Sequence, residues 1–139
     1  MNYMNIAFKE AMKALKNNDI PVGAVIVKKD KIISKSYNKK EKSGNSLYHA
    51  EILAINKACK KLNSKNLSDC EIYVTLEPCM MCYYAIAEAR IEKVYYMVGS
   101  DYNVTLNNRF NKINQKKVVD NCEYLLILKK FFKKLRYKL

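Results

Sequence analysis

The sequence is poor in residues that interrupt a chain or anchor it in a membrane. Its 139 residues include three glycines, two prolines, one histidine and no tryptophan. No apolar run reaches the 18 residues that a membrane-spanning helix needs. We find no internal repeat, low-complexity tract or flexible linker. Because half of the residues are hydrophobic, we expect one domain over residues 1–139 with a substantial core.

Acidic residues are also scarce. The sequence has 13 Asp and Glu but 26 Lys and Arg, which gives a net charge of +13. An excess of this size favours a polyanionic partner, either nucleic acid or an anionic membrane surface. All but three of the cationic residues are lysines, and asparagine is frequent too. The excess is therefore also compatible with the compositional bias of an AT-rich genome.

The cysteines are few and odd in number. There are five, at positions 59, 70, 79, 82 and 122, and the first 15 residues do not resemble a secretion signal. A disulfide framework is therefore unfavourable, and thiolate ligands in a reducing compartment are the better interpretation. We expect a cytoplasmic protein.

Hydrophobic periodicity predicts strands that alternate with helices. The predicted helices cover 2–17, 48–62, 79–90 and 120–137, the predicted strands cover 22–27, 31–36, 71–76 and 93–98, and loops cover 37–47 and 99–117. We expect the continuous apolar run 22–27 to be buried on both faces. This order predicts an α/β sandwich with parallel pairing among the later strands.

One histidine and two cysteines have the spacing of a catalytic metal site. Cys79 and Cys82 fall in the first turn of a predicted helix, and His49 begins the helix before it. Helix N-termini favour the thiolate form that a metal requires. Three protein ligands leave the fourth tetrahedral position of a zinc ion open for water, whereas structural zinc sites close with a fourth ligand.

Glu51 follows His49 by two residues and would lie beside the metal without having to bind it. Zinc lowers the pKa of bound water toward neutrality, which makes hydroxide available. A carboxylate beside it can then carry protons to a ring nitrogen and to departing ammonia. The arrangement H-x-E…P-C-x-x-C is a known signature of zinc nucleobase deaminases.

Each part of this pattern also has a milder interpretation. A lone CxxC is often redox-active or structural, and a lone histidine is usually an ordinary polar residue. Against a closed structural site, the chain has no second histidine, and Cys59, Cys70 and Cys122 are better explained as small core or surface residues.

The sequence resembles the bacterial tRNA-specific adenosine deaminases over most of its length. The resemblance is carried by Ile20–Val25, Asn38, His49–Ile52, Ile72–Cys82 and Phe131–Arg136. The zinc motif is shared by the whole deaminase superfamily, whereas the Leu-Glu-Pro-Cys-Met-Met-Cys and Phe-Phe-Lys-Lys-Leu-Arg segments are narrower.

The resemblance implies a three-layer, cytidine-deaminase-like α/β/α sandwich around a mixed sheet of about five strands. It implies a homodimer with one zinc ion per subunit, no nucleotide cofactor and no membrane partner, which converts adenosine to inosine at a tRNA wobble position. It further implies that Asn38, Ala50 and Pro78 contact the substrate base. Phe131 and Phe132 would stack on or pack beside unpaired bases, while Lys133, Lys134 and Arg136 would neutralise phosphates.

Some positions depart from the family pattern near the expected substrate. The stretch after Gly99 lacks further glycines, Leu47 and Tyr48 replace small residues and a proline, and Lys39 and Lys40 stand where a proline is usual. A deaminase of free cytosine, guanine or a cytidine nucleotide is therefore the second candidate. An RNA-binding module with a structural zinc ion is a third candidate, and a membrane-surface protein is a fourth, although the last helix lacks a clean apolar face. Asn38 could also serve only as a loop cap.

Overall fold

A computed structural model describes residues 2–99, 114–117 and 122–136 of the chain. They form a mixed five-stranded sheet in the order β2-β1-β3-β4-β5. The strands are β1 (Gly23–Lys28), β2 (Lys31–Tyr37), β3 (Cys70–Leu76), β4 (Lys93–Val98) and β5 (Asn114–Lys117). The helices are α1 (Tyr3–Lys16), α2 (Lys40–Ser43), α3 (Ala50–Leu62), α4 (Met80–Glu88) and α5 (Cys122–Arg136).

The first two strands form a hairpin at the edge of the sheet. Lys28 pairs with Lys31, so the loop has two residues. Those residues, Lys29 and Asp30, have φ angles of 48° and 61°. Two consecutive positive φ angles define a type I′ turn, whose twist matches that of the flanking strands. The turn therefore sets the register of β2 against β1.

Strand β1 is buried on both faces and separates two cores. Ala24 and Ile26 face the core beneath α3 and α4, whereas Val25 and Val27 face the core beneath α1 and α5. β1 pairs antiparallel with β3, and β3–β4 and β4–β5 pair parallel. The predicted three-layer sandwich, the buried first strand and the parallel later strands are confirmed.

Helix α1 packs so closely on β1 that only glycine fits at the contact. A Cβ atom on Gly23 would lie 2.0 Å from the backbone oxygen of Ala7 and 2.6 Å from the backbone nitrogen of Ala11. Those are backbone atoms, so a side chain would force the helix away from the sheet.

A buried hydroxyl network attaches α5 to the other layers. The Tyr124 hydroxyl donates to the backbone oxygen of Pro21 at 2.7 Å and accepts from the Thr75 hydroxyl at 2.9 Å. Thr75 Oγ1 in turn accepts from the backbone N–H of Gly23 at 3.2 Å. Tyr124 is fully buried, so these bonds satisfy polar groups that have no access to water.

Two loop predictions are wrong in part. The predicted loop 37–47 contains the one-turn helix α2, which apolar periodicity could not reveal because its residues are all polar. The Glu41 N–H donates to the Asp19 carboxylate at 2.9 Å, so a distant residue holds the start of this turn. The predicted loop 99–117 contains the polar edge strand β5, which is defined by its pairing with β4. Residues 100–113 of that loop, and the predicted helix start at 120–121, lie outside the described residues.

In the part of the chain that the structure describes, none of the helices combines the length and the hydropathy of a membrane span.

Candidate active site

Helices α3 and α4 begin at one point, near the C-terminal end of β3. His49 is the N-cap of α3 and Cys79 is the N-cap of α4, and both have extended backbone conformations. Their carbonyl groups accept the first helical hydrogen bonds, from Leu53 and Tyr83. Cys82 lies in the first turn of α4 and is fully buried. The structure thus brings together three side chains separated by up to 33 positions.

The donor atoms of these residues have the separation of ligands around one metal ion. His49 Nδ1 lies 3.8 Å from Cys79 Sγ and 3.6 Å from Cys82 Sγ, and all three donor atoms lie within 4.8 Å of one another. Tetrahedral zinc with bonds of about 2.3 Å to sulfur and 2.0 Å to nitrogen separates such atoms by about 3.6 Å. One imidazole and two thiols are also the donor set that zinc prefers. The residues present therefore fit a zinc ion.

The two thiols of the cluster differ in how readily they ionise. Hydrogen bonds, from Cys82 first and then from His49, lower the pKa of Cys79 to about 4. The hydrogen bond with Cys79 and burial raise the pKa of Cys82, and the contact with Cys79 raises the pKa of His49. A thiolate at Cys79 is thus already favoured, and a bound cation would displace the remaining proton at Cys82.

Glu51 is a buried carboxyl group beside this cluster. It is 3% exposed, and its Oε1 atom has no hydrogen-bond partner among the residues that the structure describes. Burial raises the pKa of Glu51 to about 7. An unpartnered buried oxygen is costly unless something else uses it, and a group with a pKa near neutrality can both accept and donate a proton at physiological pH.

A small cavity of about 150 Å³ adjoins the cluster. Its polar lining comes from Asn38, His49, Glu51, Glu77 and Cys79. Ile20, Val22, Leu76 and Phe132 supply the apolar lining. A pocket with apolar walls and a few converging polar groups suits a small planar ring.

The Asn38 side chain contacts the start of α3 and also lines the active-site cavity. Its Oδ1 atom accepts from the backbone N–H of Ala50 at 2.7 Å, which satisfies a free donor in the first turn of α3. The side chain is buried and lines the cavity. Since the oxygen is engaged, the amide NH₂ group is the part of Asn38 left to donate to a ligand.

Of the remaining predicted site residues whose side chains the structure describes, Phe132 alone lines the active-site cavity. Ala50 and Pro78 are buried next to His49 and Cys79 but do not line the cavity. Phe132 lines it, whereas Phe131 lines a separate cavity between the end of α1 and α5. Lys133 and Lys134 are exposed on α5. The Arg136 side chain lies outside the described residues.

That second cavity is larger, about 360 Å³, but it lacks the chemistry of the first. Its lining is mainly apolar with Lys130 and Lys134, and it contains none of the predicted catalytic or metal-binding residues. Size therefore does not identify the active site here.

Sequence reasoning missed Glu77. Its Oε2 atom accepts from the Tyr83 hydroxyl at 2.8 Å, so the carboxylate is fixed between α4 and the cavity. Burial raises the pKa of Tyr83, which keeps this hydroxyl protonated as a donor. The signal in the sequence is its position, because Glu77 directly precedes the Pro78–Cys79 pair of the metal-site motif.

The remaining cysteines are separate from the cluster. Cys59 is half-buried on α3, Cys70 is buried at the start of β3 and Cys122 is exposed on α5. Burial raises the pKa of Cys70 to about 11. Among the described residues, only His49, Cys79 and Cys82 form a group that could hold a metal.

Comparison with known proteins agrees with this geometry. A family model described as MafB19-like deaminase matches residues 1–136. The tRNA-specific adenosine deaminase of Rickettsia bellii (strain RML369-C) is 45% identical over 144 residues, which cover 96% of this chain and 99% of the relative.

Two solved structures are also similar. One, from a study of A-to-I editing by tRNA:A34 deaminases at the wobble position of transfer RNA, is 39% identical with a TM-score of 0.68 and covers 70% of this chain and 75% of that chain. Guanine deaminase from Bacillus subtilis is 29% identical with a TM-score of 0.68 and covers 96% of this chain and 95% of that chain. With its metal-ligand cluster and its buried carboxyl group, this chain belongs to the deaminases and, among them, to the family of bacterial tRNA-specific adenosine deaminases.

Proposed function

We propose that the protein hydrolyses the wobble adenosine of a tRNA anticodon to inosine and releases ammonia. The observation that carries this proposal is the position of the buried Glu51 carboxyl group, whose Oε1 atom has no hydrogen-bond partner among the described residues, beside the His49, Cys79 and Cys82 donor atoms in a small cavity. The family relationship supplies the substrate class, since the relatives with 45% and 39% identity act on tRNA adenosine.

His49, Cys79 and Cys82 would hold one zinc ion, and the ion would supply Lewis-acid activation of water. The water oxygen would bond to the ring carbon that bears the amino group while Glu51 moves a proton from that water to the neighbouring ring nitrogen. Glu51 would then move the second proton, from the new hydroxyl group, to the amino nitrogen, which leaves as ammonia when its bond to the carbon breaks. The overall reaction consumes one water per adenosine. The pKa of Glu51 favours this shuttling, although a bound cation would shift it downward.

Asn38 would orient the base through its amide NH₂ group. A purine offers ring nitrogens as acceptors, and the engaged Oδ1 atom prevents the side chain from rotating. Ala50 and Pro78 would shape the backbone beside the base rather than provide side-chain contacts. The apolar walls, with Phe132 from α5, would exclude water from the ring faces.

Helix α5 would contact the RNA around the target base. Phe131 and Phe132 lie with their ring centroids 5.7 Å apart in an edge-to-face arrangement, and Lys133 and Lys134 are exposed beside them. These side chains, with Arg136, would pack against unpaired bases and neutralise phosphates. A recessed site of this kind requires an unpaired base, which an anticodon loop provides.

We also propose that the active protein is a homodimer in the cytoplasm, where tRNA is modified and used. Large apolar side chains are exposed next to the metal ligands, before α3 and on α4: Leu47 (56%), Tyr48 (37%), Met80 (56%) and Tyr84 (42%). A second copy of the chain would cover them.

Glu51→Gln tests the proposed chemistry. The amide cannot accept a proton, so we expect inosine formation to fall by about 10²–10⁴-fold while one zinc per chain is retained. Inosine is measured by sequencing an adenosine-wobble tRNA transcript, and zinc by elemental analysis. Turnover near the wild-type rate in a zinc-loaded Glu51→Gln sample would contradict the role of Glu51.

The same assay with free cytosine, guanine and adenine separates the substrate classes. We expect ammonia release only with the tRNA transcript. Release from guanine without inosine in the RNA would favour the small-substrate activity that the Bacillus subtilis relative suggests.

A further inference from the structure

Three lysines from different elements lie together at the β2 edge of the sheet. We call Lys35, Lys39 and Lys57 the β2-edge cluster. The Lys57 amine donates to the backbone oxygen of Lys35 at 3.1 Å, which joins α3 to β2. The Lys39 amine lies 4.8 Å from the centroid of the Tyr37 ring. Both amines are therefore held by specific contacts rather than extended freely into solvent.

Positive charge dominates around this cluster. Burial lowers the pKa of Lys57 first, and the charges of Lys39, Lys13 and Lys35 lower it further, whereas Glu10 raises it. Glu10 is already engaged, because its carboxylate lies 2.6 Å from the Lys13 amine. The fold therefore keeps like charges close together, which is unfavourable without a bound anion.

The cluster begins next to a residue that lines the active-site cavity and extends away from it. Asn38 lines the cavity and Lys39 is the next residue. Lys35 lies on β2, three residues before Asn38, which corresponds to about 10 Å along the strand. Lys57 lies eight residues after His49, or about 12 Å along α3. An RNA strand whose target base occupies the cavity could thus place its neighbouring phosphates at the cluster.

We propose that the β2-edge cluster binds phosphate groups of the RNA backbone that flank the target base. This inference rests on the proposed function and adds a contact surface separate from α5. The Lys57 amine donates one of its three hydrogens to Lys35 and retains two for phosphate oxygens. Because its position is fixed in advance, less side-chain entropy is lost on binding.

An RNA backbone suits this surface better than an anionic membrane does. Peripheral membrane binding needs exposed apolar side chains beside the basic ones. Among the described residues, the exposed large apolar side chains lie before α3, on α4 and on α5, not in the cluster. The surface therefore offers charge and hydrogen-bond donors without an apolar anchor.

The test compares two triple variants with the same loss of charge. Lys35→Gln/Lys39→Gln/Lys57→Gln removes the cluster, and Lys60→Gln/Lys61→Gln/Lys65→Gln removes three exposed lysines at the far end of α3 and the loop beyond it. The dissociation constant for an adenosine-wobble tRNA transcript is measured over a series of KCl concentrations. For the cluster variant we expect the slope of log K against log salt to become shallower by about 2 to 3. We also expect binding at low salt to weaken at least about tenfold.

The control variant should change the slope by less than about 1. Equal changes in the two variants would overturn the inference in favour of a diffuse charge effect, and an unchanged slope in the cluster variant would overturn it directly. Vesicles with anionic lipid provide a third arm, in which loss of vesicle binding with RNA binding intact would assign the cluster to membranes. Inosine formation by the wild-type protein is measured separately, so that failure of the proposed function is distinguishable from failure of this inference.

Discussion

The two sides of the active-site cavity are held in different ways. On the metal side, His49, Glu51 and Cys82 lie on the first turns of α3 and α4, two helices that pack on the main core. On the α5 side, Phe132 is 36% exposed, and Tyr124 and Leu128 are the described residues of this helix that are buried. The chemistry is thus placed on helices that pack on the main core, and the wall that would face RNA is placed on a helix with fewer buried side chains among the described residues.

This difference has a physical basis. Ligand atoms around a metal must keep their separation within a few tenths of an ångström, which requires dense packing behind them. A wall that contacts a large, adaptable RNA tolerates more movement. We therefore expect changes on the metal side to abolish activity and changes on the α5 side to reduce it by degrees.

The largest effect should come from Cys79→Ser. A serine hydroxyl is a poor zinc ligand, so we expect loss of bound zinc and a fall in inosine formation of more than about 100-fold. Cys59→Ser is the matched control, because Cys59 is half-buried on α3 and lies outside the cluster. Zinc content and activity are measured on both variants, and full zinc occupancy in Cys79→Ser would refute the ligand assignment.

An intermediate effect is expected at Asn38, where two roles can be separated. Asn38→Ala removes the acceptor for the Ala50 N–H and should cost about 1 kcal/mol of unfolding free energy. Asn38→Asp keeps an acceptor there but removes the amide donor, so it should retain most of the stability. We expect both variants to lose about tenfold or more in kcat/KM. Normal activity in Asn38→Asp would leave Asn38 with the capping role alone.

The smallest effect on activity is expected from Tyr124→Phe, which loosens α5 without touching the cavity. Loss of the hydroxyl leaves the Pro21 carbonyl without this donor and should cost about 1 to 3 kcal/mol of unfolding free energy. We expect KM for tRNA to rise a few-fold with little change in kcat. Tyr84→Phe, on the exposed Tyr84 of α4, is the control for stability. A large fall in kcat for Tyr124→Phe would mean that the two sides of the cavity are coupled.

The regular elements that bury apolar side chains could be predicted from the sequence. β4 has its predicted bounds, and α1, β1, β2 and β3 differ from prediction by one residue at one or both ends. Polar elements could not be predicted, because α2 depends on the Asp19 carboxylate and β5 depends on its pairing with β4. Contacts with residues far away in the sequence cannot be recognised from a local sequence pattern.

The side chains that could perform the chemistry are recognisable without the fold. A glutamate follows the histidine by two residues, and two cysteines lie three residues apart after a proline. These spacings are short, so the residues of each pair lie close together wherever their segment begins a helix. The packing of distant segments, in contrast, brings the starts of both helices to one point and places Phe132 in the cavity wall. The same packing forms the hydrogen bond between the Asn38 oxygen and α3 and brings Lys35, Lys39 and Lys57 close together. The reason is physical: spacing along a chain fixes neighbours within a few residues, whereas contacts between distant segments form only when the whole sheet and its helices pack.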